Sequence, residues 1–363
     1  MKVFIEVYYS KETACKHACN SFQALARVME NDEDSDWRVC LVGRETIPTI
    51  LDLCGKAEIV VVTSRVLVPL DRPKAYVASI KPLLDGLKAC SSRKMLYQDD
   101  TRMRLWWTGV EDYGFGGFIG TYFYPWPSWM RHSKKFWPYK VSQDTPCLWL
   151  PHSAASPQAP LDLRTTKPKV IFPSTAFNHR YPNRQLWYSF IQKSPYLNEV
   201  VDVLTEKGGL FGHRYTDYMK PYRAALLVVP PNEYIVQKYF QCMSIGIVPL
   251  LCFAVGHKEH RAPNACRAFE ELGFKRGVHY VEVTLDNFEG VVKDLMADPA
   301  RFAPIAKASQ TLIHEGHLPI HRMAALDRWL SGQGFWLKKP QDETFEIGSK
   351  KRSGREKYFS SSA

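Results

Sequence analysis

The segment from Tyr222 to Leu251, YRAALLVVPPNEYIVQKYFQCMSIGIVPLL, constrains the fold of this chain more than any other. Ala224 to Val229 is an uninterrupted apolar run suited to a strand buried on both faces, and Pro230-Pro231 stops it. A helix is expected from about Tyr234. It carries Lys238 and Gln241 three residues apart, hence on one face. Ser244 and Gly246 end that helix. Ile247 to Leu251 is a second apolar strand. Strand, loop, helix and strand make a βαβ unit, whose loop lies at the carboxyl edge of a parallel sheet, the edge where open α/β sheets bind ligands.

The rest of the chain repeats the alternation. Strands are expected at Met1 to Val7, Trp37 to Val42, Glu58 to Thr63 and Lys94 to Gln98. Helices are expected at Thr13 to Met29, Ile47 to Cys54 and Lys74 to Cys90. Such an order specifies a parallel, doubly wound sheet. The first strand is not followed by G-x-G-x-x-G, so the dinucleotide fingerprint is missing. The opening MKVFIEVYYS is interrupted by Glu6 and reads as a strand rather than a leader. Ala154 to Lys169 is rich in Pro, Ser and Ala and reads as a linker. The expected domains are therefore 1–153 and 170–337, with the linker at 154–169 and a basic, flexible tail at 338–363.

Several local patterns resemble one enzyme class. Asn232-Glu233-Tyr234 and Gly246-Ile247-Val248-Pro249 resemble the donor motif of GT-B glycosyltransferases. HEGHLPIHR, His314 to Arg322, is similar to the element that opens their last helix. The resemblance implies an α/β fold of two facing Rossmann-like domains with parallel sheets and an interdomain cleft. It also implies transfer of a sugar from a nucleoside diphosphate, a UDP-sugar first among the donors, to an acceptor hydroxyl. YQDDTR, Tyr97 to Arg102, resembles the segment of the phage DNA β-glucosyltransferase family that carries the catalytic aspartate, and this assigns Asp100 as base. A carboxylate beside an arginine stays ionised, which suits that role. Tyr181-Pro182-Asn183-Arg184 is also similar to spore-maturation-type glycosyltransferases.

The expected diphosphate ligands are Arg180 and Arg184, at the start of a helix running to about Ile191, together with Lys238. Gln241 and Glu233 are candidates for the donor ribose. The resemblance also places Gly212 and His213, in a strand-to-loop element, near the donor ribose and base. Gln241 stands where the family carries a glutamate; an amide still bonds a diol, though more weakly than a carboxylate. No metal site is expected and no obligatory cofactor, since Asp99-Asp100 serves better as base than as ligand. Cys15, His17 and Cys19 lack further ligands nearby.

The formal net charge is +11. Trp106 to Trp149 holds six of the ten tryptophans, interleaved with basic residues. Stacking faces beside cations suit nucleic acid, and they suit sugars as well. Arg102, Arg104, Trp106, Trp107, Lys134 and Lys135, in or just before the insertion at 104–147, are the expected acceptor contacts. The favoured acceptor is a hydroxymethylated base in DNA. A glycan or lipid-linked acceptor, with the basic face resting on a membrane surface, remains open, as does a non-catalytic nucleic-acid-binding protein of the same fold. Nine cysteines, an odd number, fit free thiols in a reducing compartment. The expectation is a monomer in the cytoplasm, that of the host if viral, with no transmembrane segment.

Overall fold

The computed structural model describes residues 1–7, 21–67, 74–98, 114–121, 146–154, 156–174, 182–204, 212–229, 235–253 and 263–332. The first half runs β1 (Lys2–Val7), α1 (Ser21–Asn31), β2 (Trp37–Val42), α2 (Ile47–Lys56), β3 (Ile59–Thr63), the short α3 (Ser64–Leu67), α4 (Lys74–Ala89), β4 (Arg93–Gln98), β5 (Phe115–Gly120) and β6 (Cys147–Trp149). These strands form a sheet of order β2-β1-β3-β4-β5-β6 with every pair parallel. The β-branched run Ile59 to Val62 is buried on both faces, as a central parallel strand requires.

β5 lies inside the segment read from the sequence as an insertion. Its glycines mask it, and one of them is required. A Cβ on Gly117 would sit 2.6 Å from Met95 Sδ and 3.1 Å from the Pro146 carbonyl. Only glycine lets this strand lie so close to its neighbours.

The second half runs β7 (Lys167–Phe172), α5 (Pro182–Lys193), α6 (Pro195–Val200), β8 (Val201–Val203), α7 (Gly212–Met219), β9 (Tyr222–Val228), α8 (Gln237–Ile245), β10 (Val248–Cys252), α9 (Pro263–Glu271), β11 (Val281–Glu282), α10 (Phe288–Ala297), a 3-10 turn (Pro299–Phe302), α11 (Ala303–Gly316) and α12 (Pro319–Leu330). Its strands order as β11-β10-β9-β7-β8, again all parallel. The chain is thus an α/β fold of two Rossmann-like domains. Helix α8 starts three residues later than the sequence suggested. It ends where expected, at Gly246 with φ +86°.

Helix α12 returns to the first domain. Met323, Leu326, Trp329 and Leu330 pack with Phe4, Phe22 and Trp37, and Asp327 accepts bonds from Lys2 Nζ (2.7 Å) and Trp37 Nε1 (2.8 Å). In return, Trp149 at the end of β6 packs into the second domain's core with Tyr239 and Phe240 of α8. The carboxyl edge of the first sheet therefore faces the second domain. Among the described residues, no helix is long and apolar enough to cross a membrane.

Candidate donor site

The second sheet reverses its winding between β7 and β9, so its ligand crevice is expected beyond the carboxyl ends of those strands. Three segments meet there. Ser174 follows β7 in a tight turn, its N–H bonded to the Phe172 carbonyl at 2.8 Å. Asn183, in the first turn of α5, donates to the Val229 carbonyl at 3.2 Å and ties that helix to the end of β9. Helix α8 is pinned to the same strand by Tyr239, whose hydroxyl donates to the Val228 carbonyl at 2.9 Å. Lys238 Nζ bonds Ser174 Oγ.

The electrostatics of this junction are unbalanced. Lys238 is only partly exposed, and among the described residues no carboxylate pairs with it. Burial holds its ammonium well below the usual lysine range, and the Arg184 charge nearby lowers it further. Two cations kept side by side in a desolvated crevice favour an anionic guest. No side chain caps the first turn of α8, so the helix adds the positive end of its dipole.

Two amides complete the face. Gln237, Lys238 and Gln241 fall within about 100° of arc on a helix turning 3.6 residues per turn. Both side-chain atoms of Gln237, 6% exposed, and Nε2 of Gln241, 3% exposed, have no hydrogen-bond partner among the described residues. Buried polar groups are ordinarily hydrogen-bonded, so these atoms mark a face with room for a further donor and acceptor.

The structure thus brings Arg184, Lys238 and Gln241 together, and adds Ser174 and Gln237. Gln237 carries no motif, and the helix expected to start at Tyr234 placed it in the interior of the element. Gly212 and His213 open helix α7 rather than a strand-to-loop turn. Tyr215 and Met219, four apart and buried, give that segment its helical face. Asp100, Arg102, Arg104, Trp106, Trp107, Lys134, Lys135, Arg180 and Glu233 lie outside the described residues, as do Cys15, His17 and Cys19.

The described bonds of the HEGHLPIHR element hold the connection between the domains and the far end of α8, where His314 Nε2 lies 3.3 Å from Ser244 Oγ. Arg322 donates to the carbonyls of Pro151 (2.8 Å), His152 (3.1 Å) and Gly316 (3.2 Å), and to His317 Nδ1 (2.8 Å). Arginine can only donate, so His317 Nδ1 accepts and its Nε2–H goes to the Leu272 carbonyl at 2.9 Å. Burial and the Arg322 charge push His317 down to about 3, so it stays neutral. His314 Nε2 accepts from the Gln158 N–H at 3.2 Å. Gln310 spans the carbonyls of Ser244 (2.9 Å) and Gln158 (3.3 Å).

Among the described residues no group of three or more His, Cys, Asp or Glu is placed to hold a metal ion. Burial pushes the thiols of Cys40, Cys54 and Cys242 up to between about 11 and 12, which leaves them unreactive.

No family model matches the chain, and no curated protein matches its sequence. Solved structures do match its fold. A structure of T4 phage BGT in complex with UDP and Mn2+ is similar with a TM-score of 0.53 and 11% identity, covering 92% of this chain and 100% of that one. The DNA modifying enzyme beta-glucosyltransferase, studied with and without uridine diphosphoglucose, gives 0.53 at 10% identity with the same coverage. Anabaena Alr3699/HepE in complex with UDP and glucose gives 0.48 at 10% identity, covering 91% and 99%. The architecture of this chain is that of the GT-B glycosyltransferases.

Proposed function

We propose that this protein is a glycosyltransferase that takes a sugar from a nucleoside diphosphate, UDP-sugars first, and passes it to an acceptor hydroxyl. One observation carries the reading. At the switch point of the second sheet, two cations and an uncapped helix start stand beside amides with no partner among the described residues. Lys238 and Arg184 take the diphosphate, and their charge stabilises it as it leaves the sugar. Gln241, one turn along the same face, bonds the ribose diol, and Gln237 bonds the uracil edge or a phosphate oxygen. Arg180 joins the diphosphate group, with Glu233, Gly212 and His213 around the ribose and base. Because the leaving charge has protein cations to meet it, turnover is expected to survive chelation of divalent metal.

Asp100 removes the acceptor proton in this reading. A hydroxymethylated base in DNA is the favoured acceptor, supported by the net charge of +11 and by the aromatic and basic residues between Trp106 and Trp149. Monomeric and cytoplasmic action fits such a substrate. A glycan or lipid-linked hydroxyl is the alternative acceptor.

The test is transfer from UDP-, GDP- and dTDP-sugars with and without hydroxymethylated DNA. Turnover that rises with modified DNA, and fails in Asp100→Asn, supports the full reading. Turnover indifferent to DNA moves the acceptor to glycans or lipids. Absence of both turnover and UDP binding rejects the enzyme.

A further inference from the structure

Lys238 stands in the first turn of α8 in surroundings that suit an uncharged amine. Its Nζ bonds Ser174 Oγ, and the residue is part-exposed, so a solute entering the crevice can meet it. The groups that face it carry positive charge or none. Arg184, on α5, contributes a second cation. Cys242, one turn along α8, keeps its proton because burial pushes that thiol up to about 12. The Tyr239 ring centroid lies 5.8 Å from Nζ, and its hydroxyl is committed to the Val228 carbonyl. The uncapped helix start adds partial positive charge. Gln237, 6% exposed, adjoins it, and both its side-chain atoms lack partners among the described residues. Other lysines meet carboxylates instead: Lys56 meets Asp52 at 2.6 Å, Lys81 meets Asp85 at 2.5 Å and Lys293 meets Glu289 at 2.7 Å.

We infer that the empty crevice is a covalent modification site, in which Lys238 condenses reversibly with phosphate-bearing aldehydes while Arg184, Gln237 and the start of α8 hold the phosphate. The amine lone pair attacks the carbonyl carbon, and the C=O electron pair moves to oxygen. One amine proton reaches that oxygen through the Ser174 hydroxyl, which takes a proton and gives one. The new hydroxyl then leaves as water with the second amine proton, and a C=N bond remains. One amine and one aldehyde give one imine and one water, with no oxidant or metal. Burial first, and then the Arg184 charge, lower the affinity of Nζ for a proton and free its lone pair. Imine and nucleotide cannot share the crevice. Small phosphorylated aldehydes therefore regulate donor binding; that consequence rests on the glycosyltransferase reading, whereas the condensation does not.

The test treats the full chain with pyridoxal phosphate at pH 7, reduces the product with borohydride and maps the labelled peptide. Pyridoxal, which lacks the phosphate, is the control. A third arm adds UDP, with UDP calorimetry beside it. Lys238 is expected to label about tenfold faster than an ordinary surface lysine, which is almost entirely ammonium at this pH. Pyridoxal labels it about tenfold more slowly than its phosphate does, for want of the charged contact. UDP suppresses the label, because it fills the crevice and holds Nζ as ammonium. Lys238→Met loses the fast label, while its melting curve shows that it folds. Labelling spread evenly over the lysines, or pyridoxal as fast as its phosphate, overturns the site. UDP that binds without slowing the label overturns it too. Fast, phosphate-dependent labelling of Lys238 with no UDP binding keeps the modification site and rejects the donor reading. UDP binding with Lys238 unlabelled does the reverse.

Discussion

Arg322 and Lys238 are both cations shielded by protein, and they are held in opposite ways. Arg322 spends its guanidinium on three carbonyls and a histidine nitrogen. Lys238 meets one serine hydroxyl and the repulsion of Arg184. The first is a finished network, and it joins the end of the first sheet to the helices of the second domain. The second is unfinished, with the amides of Gln237 and Gln241 beside it still lacking partners among the described residues. A satisfied buried cation holds a fold together; one kept beside a second cation favours an anionic partner.

The contrast breaks most visibly at the finished network. Arg322→Met is expected to cost roughly 3–5 kcal/mol, because four acceptors lose their donor inside the joint. Denaturant unfolding measures it. A loss below 1 kcal/mol would mean that the joint does not depend on this residue.

Acid attacks the same network through His317. Its folded value, near 3, lies below the ordinary 6.5, so between those pH values the unfolded chain binds the extra proton. Stability therefore rises with pH across that window and falls on acidification, by about 1.4 kcal/mol per pH unit at most. Melting curves from pH 7 to pH 4 test the slope, which His317→Gln should flatten.

The unfinished site predicts the reverse pairing of effects. Lys238→Met should weaken UDP roughly 30- to 100-fold, the worth of a charged hydrogen bond, without lowering the melting point. UDP affinity of the wild type should also fall as pH rises through the depressed lysine value, since the bound diphosphate needs the ammonium form. Gln241→Leu is the mildest change. It should weaken UDP about tenfold and leave stability unchanged or slightly higher.

The βαβ unit was legible because its strands are apolar runs and its helix ends at a glycine with φ +86°. The shared face of Lys238 and Gln241 follows from helical spacing alone. Gln237 was not legible, since a glutamine at a helix start signals nothing until its burial is known. Strand β5 was lost to its glycines, which exist for close packing against Met95 and Pro146 rather than for a turn. Sequence periodicity reports burial of apolar faces, whereas the amides of Gln237 and Gln241 stand out only by lacking partners among the described residues.

The most direct measurement is calorimetric titration of UDP into the wild type and Lys238→Met, with melting curves of both. The account predicts binding by the wild type, at least a 30-fold loss in the variant, and an undiminished melting point. A wild type that ignores UDP, or a variant that binds it equally well, would contradict the assignment of this crevice to a nucleotide-sugar donor.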